Sequence, residues 1–166
     1  YFIYKNSELF CEDVNLQEIA KEFGTPAYVY SKKTIERHID VYKNAFQEKD
    51  NLICFSVKSL SNISILNILK EKGCGFDIVS GGELQRALHV ETNPKKIIFS
   101  GVGKSNKEIL EGINNEILSF NIESESELLR IEKIASENNK VVDVAIRFNP
   151  EVDSGGHEYI KTGRKG

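Results

Sequence analysis

The sequence predicts an α/β fold built on a parallel sheet, and three observations carry that prediction. Apolar, strand-like segments recur at 51–57, 75–79, 96–100, 116–121 and 140–148, with starts 24, 21, 20 and 24 residues apart. Amphipathic helical segments lie between them. Three of those helices open on one signature, a Ser followed three residues later by Glu: Ser80/Glu83, Ser105/Glu108 and Ser124/Glu127. That spacing reads as a capping box, which satisfies orphan N–H groups at a helix start. A strand-helix unit repeated every twenty-odd residues implies parallel strands with helices outside them. An open doubly wound sheet and a (β/α)8 TIM barrel both meet that description. A whole barrel needs about 250 residues. The 166 residues here supply five units and then a polar, Gly-rich run, so a barrel would be incomplete in this chain.

In chain order, "YFIY" (1–4) reads as a short strand and "NLQEIAKEFG" (15–24) as a helix closed by Gly24. "PAYVY" (26–30) reads as extended. Ser31 then caps a helix with Ile35, Ile39, Tyr42 and Phe46 on one stripe. "LICFSVKSLSN" (52–62) is a buried strand that runs into Lys58, with Ser61 or Asn62 starting the next helix. That helix places Ile65, Leu66 and Leu69 on one face and stops at Gly73.

Composition narrows the function classes. The chain is 40% hydrophobic and 28% charged, with a formal net charge of -3 and scattered basic residues. This is a soluble globular balance that points to neither nucleic acid nor an anionic membrane as partner. No apolar run approaches the roughly 18 residues of a membrane span, and no signal-peptide pattern opens the chain. Cys11, Cys54 and Cys74 are odd in number and form no C-x-x-C pair, which argues for a reducing, cytoplasmic location. Met is absent, so the natural chain is expected to begin before Tyr1.

Two motifs fail on inspection. "SGVGKS" (100–105) lacks the first Gly of a P-loop, because residue 98 is Ile98. It reads instead as a Gly-rich turn into a helix capped by Ser105. "GCGFDI" (73–78) has Ile78 where a dinucleotide fingerprint needs its third Gly, and its glycines precede the strand. His38 and His89 read as surface residues on helices, and the three histidines make no metal site.

The chemistry is directional. In parallel α/β folds, catalytic groups gather at the carboxyl ends of strands. Lys58 ends the first core strand, Asp77 interrupts the apolar strand "FDIV", and Arg147 comes late in "VVDVAIRFNP". A lysine in a partly desolvated mouth loses its proton more readily, which makes it a nucleophile toward an aldehyde. On the residues alone, Lys58 reads equally as a snorkelling lysine, and Arg147 equally as a salt-bridge partner. Asp143 shares the face of Arg147 but lies at the opposite end of its strand.

The segments "FSVKSLSN", "GFDIVSGGEL", "FSGVGKS", "NIESESEL" and "RFNPEVD…H.YI.TG" occur in this order. Together they resemble the amino-terminal part of the diaminopimelate decarboxylases. Those belong to the fold-type III pyridoxal 5′-phosphate (PLP) enzymes, alongside alanine racemase and ornithine decarboxylase. The resemblance covers nearly the whole chain. It implies a barrel of the alanine racemase type begun by residues 26–166, with residues 1–25 contributing to a separate β-domain. It further implies that Lys58 forms the Schiff base with PLP, that Asp77 lies beside the cofactor, and that Arg147 lies near the base of the site. His157, Thr162 and Gly163 would belong to a loop over the active site. The implied activity is decarboxylation of meso-2,6-diaminopimelate to L-lysine by a homodimer. The residues of the PLP-phosphate site and those that select substrate would lie beyond residue 166. Two positions depart from the pattern: Leu60 where Asn is common, and Gly156 where Thr is usual. The alternatives are another fold-type III decarboxylase (ornithine, arginine or carboxynorspermidine type), a non-catalytic PLP-binding protein, or a PLP-free Schiff-base aldolase barrel.

Overall fold

The computed structural model describes residues 1–148. Its main body is a five-stranded parallel sheet: β4 (Cys54–Ser56), β5 (Gly75–Ile78), β6 (Ile97–Phe99), β7 (Ser119–Ile122) and β8 (Val144–Ile146). The spatial order is β4-β5-β6-β7-β8, the order of the chain. A doubly wound sheet reverses direction at a switch point. This one never does, so it is the singly wound beginning of a barrel.

Side-chain alternation explains which face is covered. Phe76, Ile78, Ile97, Phe99, Phe120 and Ile122 are buried against the helices, whereas Asp77, Ile98 and Asn121 between them are only partly buried. The covering helices are α3 (Ile63–Glu71), α4 (Gly81–His89), α5 (Asn106–Asn114) and α6 (Glu125–Glu137). Their apolar stripes supply Leu66, Leu69, Leu84, Ala87, Ile109, Ile113 and Ile131 to one continuous core. Close approach requires glycine at two points. A Cβ on Gly75 would collide with the backbone oxygen of Lys96 and lie 2.9 Å from Cys54 Sγ. One on Gly112 would lie 2.7 Å from Phe120 Cζ.

All three Ser/Glu helix starts form caps, but only one is a closed box. At α5, Ser105 Oγ accepts from Glu108 N while Ser105 N donates to Glu108. At α4 and α6 the serine caps as expected, but the glutamate accepts from the residue before it. Val79 N donates to Glu83 at 2.8 Å, and Glu123 N donates to Glu127 at 2.9 Å. In both cases the strand enters the helix with the preceding N–H, not that of the serine, turned toward the carboxylate.

The amino-terminal residues form their own antiparallel sheet: β1 (Phe2–Lys5), β2 (Glu8–Cys11) and β3 (Val14–Asn15), followed by α1 (Leu16–Phe23). The hairpin turn holds Asn6 and Ser7 at φ 50 and 65, the left-handed pair that a two-residue hairpin favours. β2 and β3 escape the sequence reading because they are only four and two residues long, with Glu12 and Asp13 between them. The carboxylate of Glu12, in the β2–β3 turn, accepts from Ser31 Oγ and Lys33 N, both at 2.8 Å. That ties the small sheet to the start of α2 (Lys32–Ala45). Those donors hold Glu12 below the ordinary carboxylate range, the Lys33 amide first. Residues 26–30, expected as extended, form no strand. On α2, Ile39 is buried and Ile35 packs on the core, but Tyr42 and Phe46 are exposed.

Candidate active site

Because core-facing residues alternate with their neighbours, the opposite face of the sheet carries its own row of side chains. Near the carboxyl ends this row is polar. Ser56 and Asp77 are register partners on β4 and β5. Ser56 Oγ donates to Asp77 Oδ2 at 3.3 Å, and Ser100 Oγ, just beyond β6, donates to Asp77 Oδ1. Asn121 Nδ2 on β7 donates to Ser100 Oγ at 2.9 Å. One hydrogen-bonded chain thus runs Ser56–Asp77–Ser100–Asn121 across four strands. An aspartate in a strand is costly unless its oxygens are satisfied, and here both are.

Lys58 lies two residues past Ser56, in a single 3-10 turn (Val57–Ser59) between β4 and α3. Val57 is fully buried and anchors the turn, and Ser59 Oγ donates to Ser56 O at 2.7 Å. Asn62 caps α3, accepting from Ser64 N and Ile65 N. Lys58 itself is exposed. The expected partial desolvation is therefore not present in the described residues, because the turn carries Lys58 past the last ladder position.

Cys54 precedes Ser56 on the same row. Burial, with smaller contributions from Asp77 and Cys74, pushes its thiol up to about 11. A raised thiol pKa disfavours the reactive thiolate.

Arg147 follows β8 and is exposed, with Nη1 3.1 Å from Glu123 Oε1. Its backbone N donates to Ile122 O, whereas Asp143 at the strand's other end accepts from Phe120 N. The structure thus brings Asp77 together with a polar row, puts Lys58 at the end of the neighbouring strand, and gives Arg147 a carboxylate partner. His157, Thr162 and Gly163 lie outside the described residues. His38 is exposed on α2 and His89 at the end of α4.

Three members of the row, Ser56, Ser100 and Asn121, were not singled out from the sequence. The available signal was a polar residue in register at the carboxyl end of each successive strand. Lys104 was also passed over once "SGVGKS" failed as a P-loop. It is buried, with its Nζ 2.7 Å from both Gly101 O and Asn121 O and 2.8 Å from Glu127 Oε1. Its Nζ also lies 5.7 Å from the centroid of the Phe99 ring. Lys104 therefore locks the turn after β6 to the end of β7.

The donor set fits the aldehyde end of PLP. It offers an accessible primary amine on one strand end and a carboxylate, already held by two hydroxyls, on the next.

Known proteins resemble this chain over nearly its whole length. Residues 32–166 match the family model described as pyridoxal-dependent decarboxylase, pyridoxal binding domain. The chain is 48% identical to the diaminopimelate decarboxylase of Haemophilus influenzae over 99% of its own length and 40% of that protein's. It superposes with a TM-score of 0.87 and 42% identity on the Helicobacter pylori diaminopimelate decarboxylase complexed with L-lysine, covering 91% of this chain and 38% of that one. With the M. jannaschii diaminopimelate decarboxylase in co-complex with L-lysine, the TM-score is 0.88 at 36% identity, covering 96% and 38%. The chain thus spans about 40% of the length of the curated relatives it matches. The parallel sheet in chain order, the lysine at the end of its first strand and the match over residues 32–166 lead to one conclusion: the chain belongs to the pyridoxal-dependent decarboxylases, with residues 32–166 matching their pyridoxal-binding domain.

Proposed function

We propose that the complete protein uses PLP to decarboxylate meso-2,6-diaminopimelate to L-lysine and CO2. The observation that carries the chemistry is an accessible Lys58 at the carboxyl end of β4, one strand from the doubly hydrogen-bonded Asp77. The choice of substrate is supported by the 48% identity to the Haemophilus influenzae enzyme. When bound, PLP supplies the electron sink for the carbanion left as CO2 departs. Lys58, the accessible primary amine just past β4, would hold the cofactor's aldehyde end. Asp77 presents a fixed carboxylate beside them, oriented by Ser56 and Ser100. Arg147 lies near the base of the site and keeps Glu123 in place. Net reaction replaces the carboxylate on the D-centre with a proton. Residues 1–25 contribute to a β-domain and 26–166 begin the barrel. The protein is a cytoplasmic homodimer; among the described residues, no helix is long and apolar enough to cross a membrane.

The test uses the complete gene product. Borohydride reduction with PLP, followed by peptide mapping, should label Lys58, and meso-diaminopimelate should yield L-lysine and CO2 in equal amounts. Labelling elsewhere, or none, overturns the role of Lys58. Faster turnover of ornithine, arginine or carboxynorspermidine moves the protein to another decarboxylase class. Cofactor uptake without turnover of any of these makes it a binding protein.

A further inference from the structure

The row beside Lys58 has a fixed donor direction. Asn121 Nδ2 can only donate, so Ser100 Oγ is the acceptor of that bond. Ser100 has one hydroxyl proton, and Asp77 Oδ1 is the acceptor it meets. The proton of Ser100 is therefore aimed at Asp77 Oδ1, while Ser56 holds Oδ2. A hydroxyl rotates freely when nothing opposes it. Here the Asn121 amide occupies one of its lone pairs and selects the rotamer that faces Asp77. Asn121 is itself held from outside the row, because its backbone oxygen accepts from the buried Lys104 at 2.7 Å. Lys104 also binds Gly101 O, next to Ser100, and Glu127 Oε1. Both strand ends that carry the chain are thus pinned to one buried ammonium.

We propose that Ser100 and Asn121 are positioning residues that orient the Asp77 carboxylate toward the cofactor held by Lys58. The inference rests on the functional reading above. Neither residue need touch the cofactor or the substrate. Their effect passes through one carboxylate, so it should vanish when that carboxylate is gone. Coupled residues of this kind are non-additive in double-mutant cycles.

The experiment uses the complete gene product with Ser100→Ala, Ser100→Thr, Asn121→Asp and Asp77→Asn, singly, and with Ser100→Ala combined with Asp77→Asn. Asn121→Asp replaces the donor with an acceptor that competes for the single proton of Ser100. Three quantities are read: the affinity of the apoprotein for PLP by fluorescence titration, the absorption maximum of the bound cofactor, and kcat and KM on meso-diaminopimelate. Ser100→Ala and Asn121→Asp should each lower kcat at least tenfold with KM within about threefold, and should shift the cofactor absorption. Ser100→Thr, which keeps the hydroxyl, should recover most of the loss. The double variant should be no worse than Asp77→Asn alone. The inference is overturned if the variants keep the wild-type cofactor spectrum, PLP affinity and kcat, or if the losses multiply in full in the double variant. If Ser100→Ala or Asn121→Asp lowers only the melting temperature, their role is in folding and the inference is likewise overturned. A wild-type protein that takes up no PLP overturns the functional reading, and this inference with it. One that takes up PLP while the variants match it overturns the inference alone.

Discussion

Removing the Lys104 ammonium should be among the most destabilising single changes in the described residues. The Lys104 side chain has 0% exposure and that of Glu127 4%. An exposed ion pair contributes about 0–1 kcal/mol, and burial changes the balance. Lys104→Met fills a similar volume but leaves the Glu127 carboxylate buried without its counter-charge. It also strips the donor from Gly101 O and Asn121 O. Breaking a buried pair from one side typically costs about 3–5 kcal/mol, and this pair carries two further hydrogen bonds on the same nitrogen. Replacing both charges, as in Lys104→Met with Glu127→Leu, should be less damaging than Lys104→Met alone, since no buried charge remains. The residual cost is the loss of the Lys104 donor to Gly101 O and Asn121 O and of Glu127 as acceptor for Glu123 N, about 0.5–1.5 kcal/mol for each hydrogen bond. The assay is urea unfolding of the complete protein followed by circular dichroism, with midpoints and slopes compared across wild type, single and double variants. If Lys104→Met costs less than about 1 kcal/mol, the pair is solvated in solution. If the double variant is worse than the single, the ion pair itself is the stabilising element and the desolvation argument fails.

Three further outcomes are expected. Asp77→Asn keeps shape and removes charge, so decarboxylation should fall more than tenfold, about 1.4 kcal/mol in the barrier, with the melting temperature little changed; retained activity would make Asp77 a strand-end residue only. The Glu108 carboxyl is held below its usual value of 4.5, first by the Gly81 amide and then by the amide and hydroxyl of Ser105. A depressed folded value stabilises the protein above the unfolded pKa and loses that contribution as pH falls through the folded pKa, so Glu108→Gln should flatten the stability profile below about pH 4.5, and an unchanged acid limb would refute the coupling. Residues 1–166 expressed alone should be insoluble or molten and should bind no PLP with a defined spectrum, because β8 is left as an edge with Ile146 79% exposed; a monomer with cooperative unfolding and dispersed NMR signals would refute this.

Local rules in the sequence determined most of the architecture. The spacing of the apolar segments placed all five core strands. The serines at positions 80, 105 and 124 marked three helix starts, and the apolar triplet of Ile65, Leu66 and Leu69 marked a buried helix face. These signals are short-range: a strand alternates with period two, a helix with period 3.6, and a cap satisfies groups within three or four residues. The same directness made Lys58 and Asp77 visible, because one ends an apolar strand and the other interrupts one.

Tertiary structure alone decided what long-range pairing controls. Strand order, with each strand beside its predecessor, separated a barrel beginning from a doubly wound sheet. The register Ser56↔Asp77 and the bonds to Ser100 and Asn121 join residues 21 to 23 positions apart in the chain. No periodicity within one segment encodes such contacts. Lys104 is the clearest case. In sequence it is a charged residue in a Gly-rich turn, which ordinarily faces water. In the fold three acceptors converge on it, one from its own turn and two from segments 17 and 23 residues away, and that convergence makes burial of the ammonium tolerable.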